Sequence, residues 1–150
     1  MDLILWRHAE AEPGEPDMGR RLTGKGQKQA ERMAAWLDAH LPDTCRILVS
    51  PADRAQQTAQ ALKRKFRTVD ELAPGAGVAA VLGAANWPES REAVLVVGHQ
   101  PTLGMVASFL LSGEEAYWSV RKGAVWWLSN RAKEDGASVV LKSVQGPDFL

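Results

Sequence analysis

Three short apolar runs break off abruptly in polar corners, and this pattern constrains the fold more than any other feature of the chain. Leu3-Ile4-Leu5-Trp6 ends in Arg7-His8, Ile47-Leu48-Val49 ends in Ser50-Pro51, and Ala93-Val94-Leu95-Val96-Val97 ends in Gly98-His99. None of these runs alternates apolar with polar residues. Each is apolar toward both sides, as strands buried within a parallel sheet are.

Helical periodicity separates the runs. From Gln27 onward, apolar residues fall at Ala30, Met33, Ala34, Leu37 and Leu41, in steps of three and four. That spacing predicts an amphipathic helix, with Thr23 placed to cap its start and Pro42 to end it. Ser50-Pro51 predicts a second helix, with Ser50 as N-cap and Pro51 at the first helical position, running to about Lys65. An extended piece is expected over residues 69–72 and a short helix over 78–85. Another helix should open at Pro101-Thr102, bury Val106, Phe109 and Leu110, and close at Ser112-Gly113. Residues 125–128 and 139–141 read as strands joined by a polar turn over 130–136. This order of elements predicts a three-layer α/β/α sandwich with a mostly parallel central sheet and an antiparallel pair added last.

Composition narrows the function classes. A single domain spanning residues 1–150 is expected from the length and from a hydrophobic content of 45%. The formal net charge is 0, which gives no reason to expect nucleic acid or an anionic membrane as partner. Cys45 is the only cysteine, so the chain has neither an internal disulfide nor a cysteine cluster for zinc. The N-terminal residues do not read as a secretory leader, and no apolar run approaches the roughly 20 residues that span a bilayer. A cytoplasmic protein is expected.

In open α/β sheets the ligand lies outside the carboxyl ends of the strands. If the three strands are neighbours, their corners bring together Arg7, His8, Arg54 and His99 with helix N-termini. Helix N-termini and arginine forks both favour a tetrahedral dianion. A neutral imidazole within such a site can attack phosphorus. Each piece has a plain structural explanation as well. A strand-end histidine packs or hydrogen-bonds, Ser-Pro opens helices, Arg54 alone is a solvated charge, and Gly98 permits a tight corner. His40 reads as a helix C-terminal dipole contact, and Trp126-Trp127 as one core and one surface residue. It is the conjunction of three corners that points to chemistry.

Four blocks in this order carry a family resemblance. Arg7-His8-Ala9-Glu10, Arg20-Arg21-Leu22-Thr23 with Gly26, Ser50 to Ala59 with Arg54-Ala55 and Gln57-Thr58-Ala59, and Gly98-His99-Gln100-Pro101 together resemble the histidine phosphatase superfamily, which includes the phosphoglycerate mutases. The short chain and the alanine after His8 resemble its compact, SixA-type branch. The resemblance implies a phosphoglycerate mutase-like fold and a metal-independent phosphatase without a cofactor. In it, His8 is the transiently phosphorylated nucleophile, Arg7 and Arg54 hold phosphoryl oxygens, and His99 donates to the phosphoryl group. Arg20 matches the family arginine of the Leu-Thr element, and Arg21 stands where many relatives have proline, so either could complete the clamp.

Substrate class turns on the leaving group. An alkyl phosphate needs an acid to protonate it, and the candidates are Glu71 and Glu10, each equally explicable as a surface or loop carboxylate. Only 44 residues lie between Arg54 and His99, too few for a substantial lid. A phosphohistidine leaves as an imidazole with less acid assistance, and a lidless site admits a protein surface. The expected partner is therefore a phosphorylated protein, acted on by a monomer or weak dimer. The alternatives are a phosphomonoesterase for a small metabolite and a non-catalytic phosphate-binding module.

Overall fold

The computed structural model of the chain describes residues 1–133 and 136–150, the side chains of 131–137 excepted. Strand β1 (Asp2–Arg7) is followed by helix α1 (Gly24–His40), β2 (Arg46–Val49), α2 (Asp53–Gln60), the two-residue β3 (Arg67–Thr68), α3 (Val78–Ala84), β4 (Val94–Gly98), α4 (Thr102–Ser112), β5 (Val125–Lys133) and β6 (Gly136–Gln145). The sheet order is β3-β2-β4-β1-β5-β6. Its first four strands are parallel, and β5 and β6 add antiparallel ladders beyond β1.

The runs that are apolar on both sides find cover on both sides. Leu3, Leu5, Leu48, Val94 and Val96 pack with Val78 and Val81 of α3 and with Leu103, Val106 and Ala107 of α4. Ile4, Trp6, Ile47, Val49, Leu95 and Val97 pack with Met33, Ala34 and Leu37 of α1 and with Ala55 and Ala59 of α2. The result is the expected three-layer α/β/α arrangement. Each such buried side chain contributes on the order of 1.5–3 kcal/mol relative to exposure. Among the described residues, no helix is long and apolar enough to cross a membrane.

Local expectations fare unevenly. Thr23 caps α1 as its spacing implies, its hydroxyl accepting from Gly26 N at 2.9 Å. Ser50 does not cap α2: the N-cap position is Ala52, and the helix ends at Gln60 rather than near Lys65. Of residues 69–72 only Val69 is extended, its N–H donating to Val49 O at 2.9 Å; Asp70–Leu72 coil into a 3-10 turn that buries Leu72. Phe109, expected in the core, is 41% exposed, since α4 turns its Val106–Ala107 face to the sheet instead. The final strands are longer than the apolar pattern suggests. β5 runs through Lys133 and β6 starts at Gly136, which shortens the predicted turn; residues 134 and 135 lie outside the described residues.

One glycine is dictated by a close approach. The backbone of Glu10, just after β1, crosses the first turn of α1, and a Cβ on Gly26 would run into the Glu10 carbonyl oxygen. Gly26→Ala should lower stability by about 1–3 kcal/mol, the usual cost of overpacking, read as a reduced urea midpoint at unchanged slope.

Candidate active site

Parallel pairing in register brings the three polar corners to one edge of the sheet. Arg7 pairs with Gly98 and Val49 with Val97. The ladder continues one residue further, with His8 N donating to Gly98 O and Ser50 N to Val97 O, both at 3.1 Å. The His8 and His99 rings therefore stand with centroids 5.1 Å apart, inclined at 52°. Both are buried, and so is Arg54, which the first turn of α2 delivers to the same edge.

Each side chain is fixed by an identifiable contact. His8 Nδ1 lies 2.7 Å from its neighbour's carbonyl, Ala9 O. A carbonyl only accepts, so Nδ1 carries the proton and Nε2 keeps a free lone pair. His99 Nε2 lies 2.7 Å from Ser50 Oγ, which accepts from Ala52 N at 3.2 Å and can give its own proton to Nε2, the arrangement that leaves Nδ1 of the neutral ring as its donor. Arg7 Nη1 donates to Val120 O at 3.0 Å. Arg54 donates from Nη1 to Asp17 O at 2.8 Å and from Nη2 to Asp17 Oδ2 at 3.1 Å. Three buried nitrogens are left without a partner, one on each of the remaining site residues: Arg7 Nε, Arg54 Nε and His99 Nδ1.

The electrostatics favour neutral imidazoles. Burial, reinforced by the cations of Arg54, Arg7 and Arg20, pushes the pKa of His8 down to about 4. Burial, then the neighbouring His8 and Arg54, pushes that of His99 down to about 3. A lone pair on His8 Nε2 beside unpartnered guanidinium N–H groups can attack an electrophilic phosphorus while those donors hold its oxygens. Among the described residues, no three His, Cys, Asp or Glu side chains group so as to hold a metal ion.

Of the two adjacent arginines, Arg20 turns toward the site. Its Nε donates to Glu12 O at 2.7 Å and its Nη1 to Asp17 Oδ1 at 3.1 Å, whereas Arg21 is exposed. The two candidate acids lie elsewhere. Glu10 Oε2 accepts from the Thr23 hydroxyl at 2.8 Å, tying the loop after β1 to α1. Glu71 lines a separate cavity of about 370 Å³ with Leu48, Arg67 and Ala79. His40, stacked on Trp36 at the end of α1, bonds Trp36 O through Nδ1 at 2.7 Å and is remote from the sheet edge, as its helix-end reading implies.

Several supporting residues escape a reading by local motif. Ser50 looks like a helix cap because Ser-Pro usually is one, but its hydroxyl serves His99. Asp17 carries no signal beyond its place three residues before Arg20. Thr58 donates to Arg54 O at 2.7 Å and accepts from Ala9 N at 3.0 Å, while Gln57 accepts from Leu22 N at 2.7 Å. These contacts account for the Arg-Ala-x-Gln-Thr pattern as a clasp between α2 and the loops that carry His8 and Arg20. Residues 120–124 buttress β1 from the other side, with Gly123, at φ +74°, donating to His8 O and accepting from Trp6 Nε1.

Comparison with known proteins matches this arrangement. The signature of the histidine phosphatase superfamily (branch 1) covers residues 3–75. The chain is 32% identical to a phosphohistidine phosphatase SixA homolog of Haemophilus influenzae over 73% of this chain and 77% of that one. It is 31% identical to phosphohistidine phosphatase SixA of Escherichia coli over 76% of each. The solved structure of the protein histidine phosphatase SixA complexed with tungstate superposes with a TM-score of 0.78 at 26% identity, over 99% of both chains.

The depressed histidine pKa values make stability depend on pH. Between the ordinary value of 6.5 and about 4, the unfolded chain binds protons at His8 and His99 that the folded chain excludes. Stability should be full above pH 6.5 and decline as pH falls toward 4. Denaturant midpoints across that range test this, and His8→Ala or His99→Ala should flatten the decline.

Proposed function

The chain belongs to the histidine phosphatase superfamily, as a phosphatase of its SixA-like branch, and on that premise we propose that it removes the phosphoryl group from phosphohistidine on a protein. The observation that carries this reading is the free Nε2 lone pair of His8, set among unpartnered donors on Arg7, Arg54 and His99. His8 Nε2 attacks phosphorus and the P–N bond of the substrate breaks; the substrate ring, already protonated on its other nitrogen, takes the bond's electron pair and leaves as a neutral imidazole, while His8 becomes a phosphorylated imidazolium. Arg7, Arg54 and Arg20 offset the charge on the equatorial oxygens, and His99 Nδ1 donates to one of them. Water then attacks phospho-His8, releasing inorganic phosphate and restoring the neutral ring. The tungstate in the solved relative is a tetrahedral oxyanion of the kind this cluster suits.

Two observations favour phosphohistidine over an alkyl phosphate. First, the Glu10 carboxylate is engaged by Thr23 and Glu71 lines a different cavity, so neither is placed to protonate an alkoxide. Second, small-molecule sites are typically concavities of about 300–1,000 Å³, and two cavities of that size are lined by none of Arg7, His8, Arg54 and His99. One of about 750 Å³ is lined by Cys45, Arg46 and Arg64 among others, and one of about 700 Å³ by Arg121, Trp126 and Phe149. The stretch between α2 and β4 packs Leu72, Val78 and Val81 into the core. So short a stretch beside the site suits a substrate that brings its own protein surface.

Rapid reaction quenched without acid should leave phosphate on His8, stable in base and lost in acid, and His8→Ala should abolish turnover. Arg54→Ala should lower kcat by about 10²–10³-fold, as loss of one oxyanion donor does, with the fold retained by circular dichroism. Substrate class is settled by kcat/KM for a phosphohistidine protein against a panel of sugar phosphates and phosphoserine. The phosphohistidine protein should be preferred, and Glu71→Gln should leave its hydrolysis unchanged, whereas a true general acid is worth about 10²–10⁴-fold. A preferred phosphomonoester with a large Glu71→Gln loss would replace this reading with a metabolite phosphatase.

A further inference from the structure

Arg54 is 4% exposed, and its binding partner comes from a piece of chain 37 positions away. Asp17 begins a 3-10 turn, Asp17–Gly19, that buries no side chain, so apolar packing does not hold it. What ties it to the body is polar. Asp17 O and Oδ2 take Nη1 and Nη2 of Arg54, and Asp17 Oδ1 takes Nη1 of Arg20. One residue thus grips both arginines, and it does so in a specific way. It occupies the end-on fork of Arg54 and leaves Nε–H, on the adjoining edge of the same planar group, unpartnered. Bidentate use of the second edge remains open to an oxyanion.

We propose that Asp17 is a positioning residue for phosphoryl binding, aligning Arg54 and Arg20 through one carboxylate so that the Nε edge of Arg54 faces the incoming phosphoryl oxygens. It also supplies the negative charge that lets cationic Arg54, Arg20 and Arg7 gather around two neutral imidazoles. It is not the missing general acid. The two arginines hold its carboxyl below the usual range, so it is ionised wherever the protein is folded at neutral pH and has no proton to give. Nor does it compete with substrate, because the two ligands use different edges of the guanidinium.

This inference rests on the reading of Arg54 as a phosphoryl ligand, and the test separates the two. Sodium tungstate binding is measured by calorimetry, alongside steady-state hydrolysis of an aryl phosphate, for wild type, Asp17→Ala, Asp17→Asn, Arg54→Ala and the Asp17→Ala/Arg54→Ala double variant. Asp17→Ala should weaken tungstate and raise KM about tenfold, the scale of one lost charge-assisted contact, with kcat and thermal midpoint little changed. Asp17→Asn, which keeps an acceptor oxygen, should recover part of the loss. In the Arg54→Ala background, Asp17→Ala should have a smaller effect, the part that it exerts through Arg20. Unchanged or tighter tungstate binding in Asp17→Ala overturns the proposal, as does an undiminished effect in the double variant. If Arg54→Ala itself leaves tungstate binding intact, the phosphoryl-site reading falls and the positioning role falls with it.

Discussion

Everything at the site depends on the parallel register of β2, β4 and β1. These strands are buried on both faces, so a slip of one residue would exchange the side chains packed under α1 and α2 with those under α3 and α4. The same register fixes where each strand ends. Arg7 sits opposite Gly98 and Val49 opposite Val97, so the residues that follow them emerge side by side. The hydrophobic demand that closes the core is thus also the device that sets His8 and His99 5.1 Å apart. Packing and chemistry are specified by one ladder.

Burial has a second effect there. Imidazoles near pH 7 are ordinarily divided between charged and neutral forms. At this edge, desolvation and the guanidinium groups of Arg54 and Arg7 push both rings to the neutral form, and a backbone carbonyl selects which nitrogen of His8 keeps its lone pair. Positive charge in the cluster then resides on arginines, whose protonation does not vary in the working range. In the mechanism proposed above, nucleophile and electrostatic clamp are separate groups, so a phosphoryl dianion can be gathered without protonating the atom that attacks it.

Much of this was legible in the sequence because it is written locally. Doubly apolar runs announce buried strands, three-and-four spacing announces α1, and polar residues placed immediately after strands announce the ligand edge. The family blocks add order to those signals. What was not legible arises from contacts distant in sequence. Ser50 reads as a helix cap until His99, 49 residues away, takes its hydroxyl. Asp17 has no local partner except Arg20, and its contact with Arg54 spans 37 positions. The choice between Arg20 and Arg21 is a question of which way a loop turns, and adjacent identical residue types cannot answer it. Residues 70–72 were misread because an apolar pair around two carboxylates suits a strand and a tight turn equally, and the burial of Leu72 decides for the turn.

The antiparallel direction of β5 divides that strand into two unequal ends. Its first residue, Val125, pairs with Trp6 beside the Arg7–His8 corner, and the loop that enters it holds Arg7 and His8 through its backbone groups. Its last residues pair only with β6 and extend past β1 altogether. Variation at the entry of β5 is therefore constrained by the chemistry, while variation at its exit is constrained only by the hairpin. A lineage carrying this fold can lengthen, shorten or redecorate the hairpin, and so alter what the protein meets on that flank, without disturbing the cluster of Arg7, His8, Arg54 and His99.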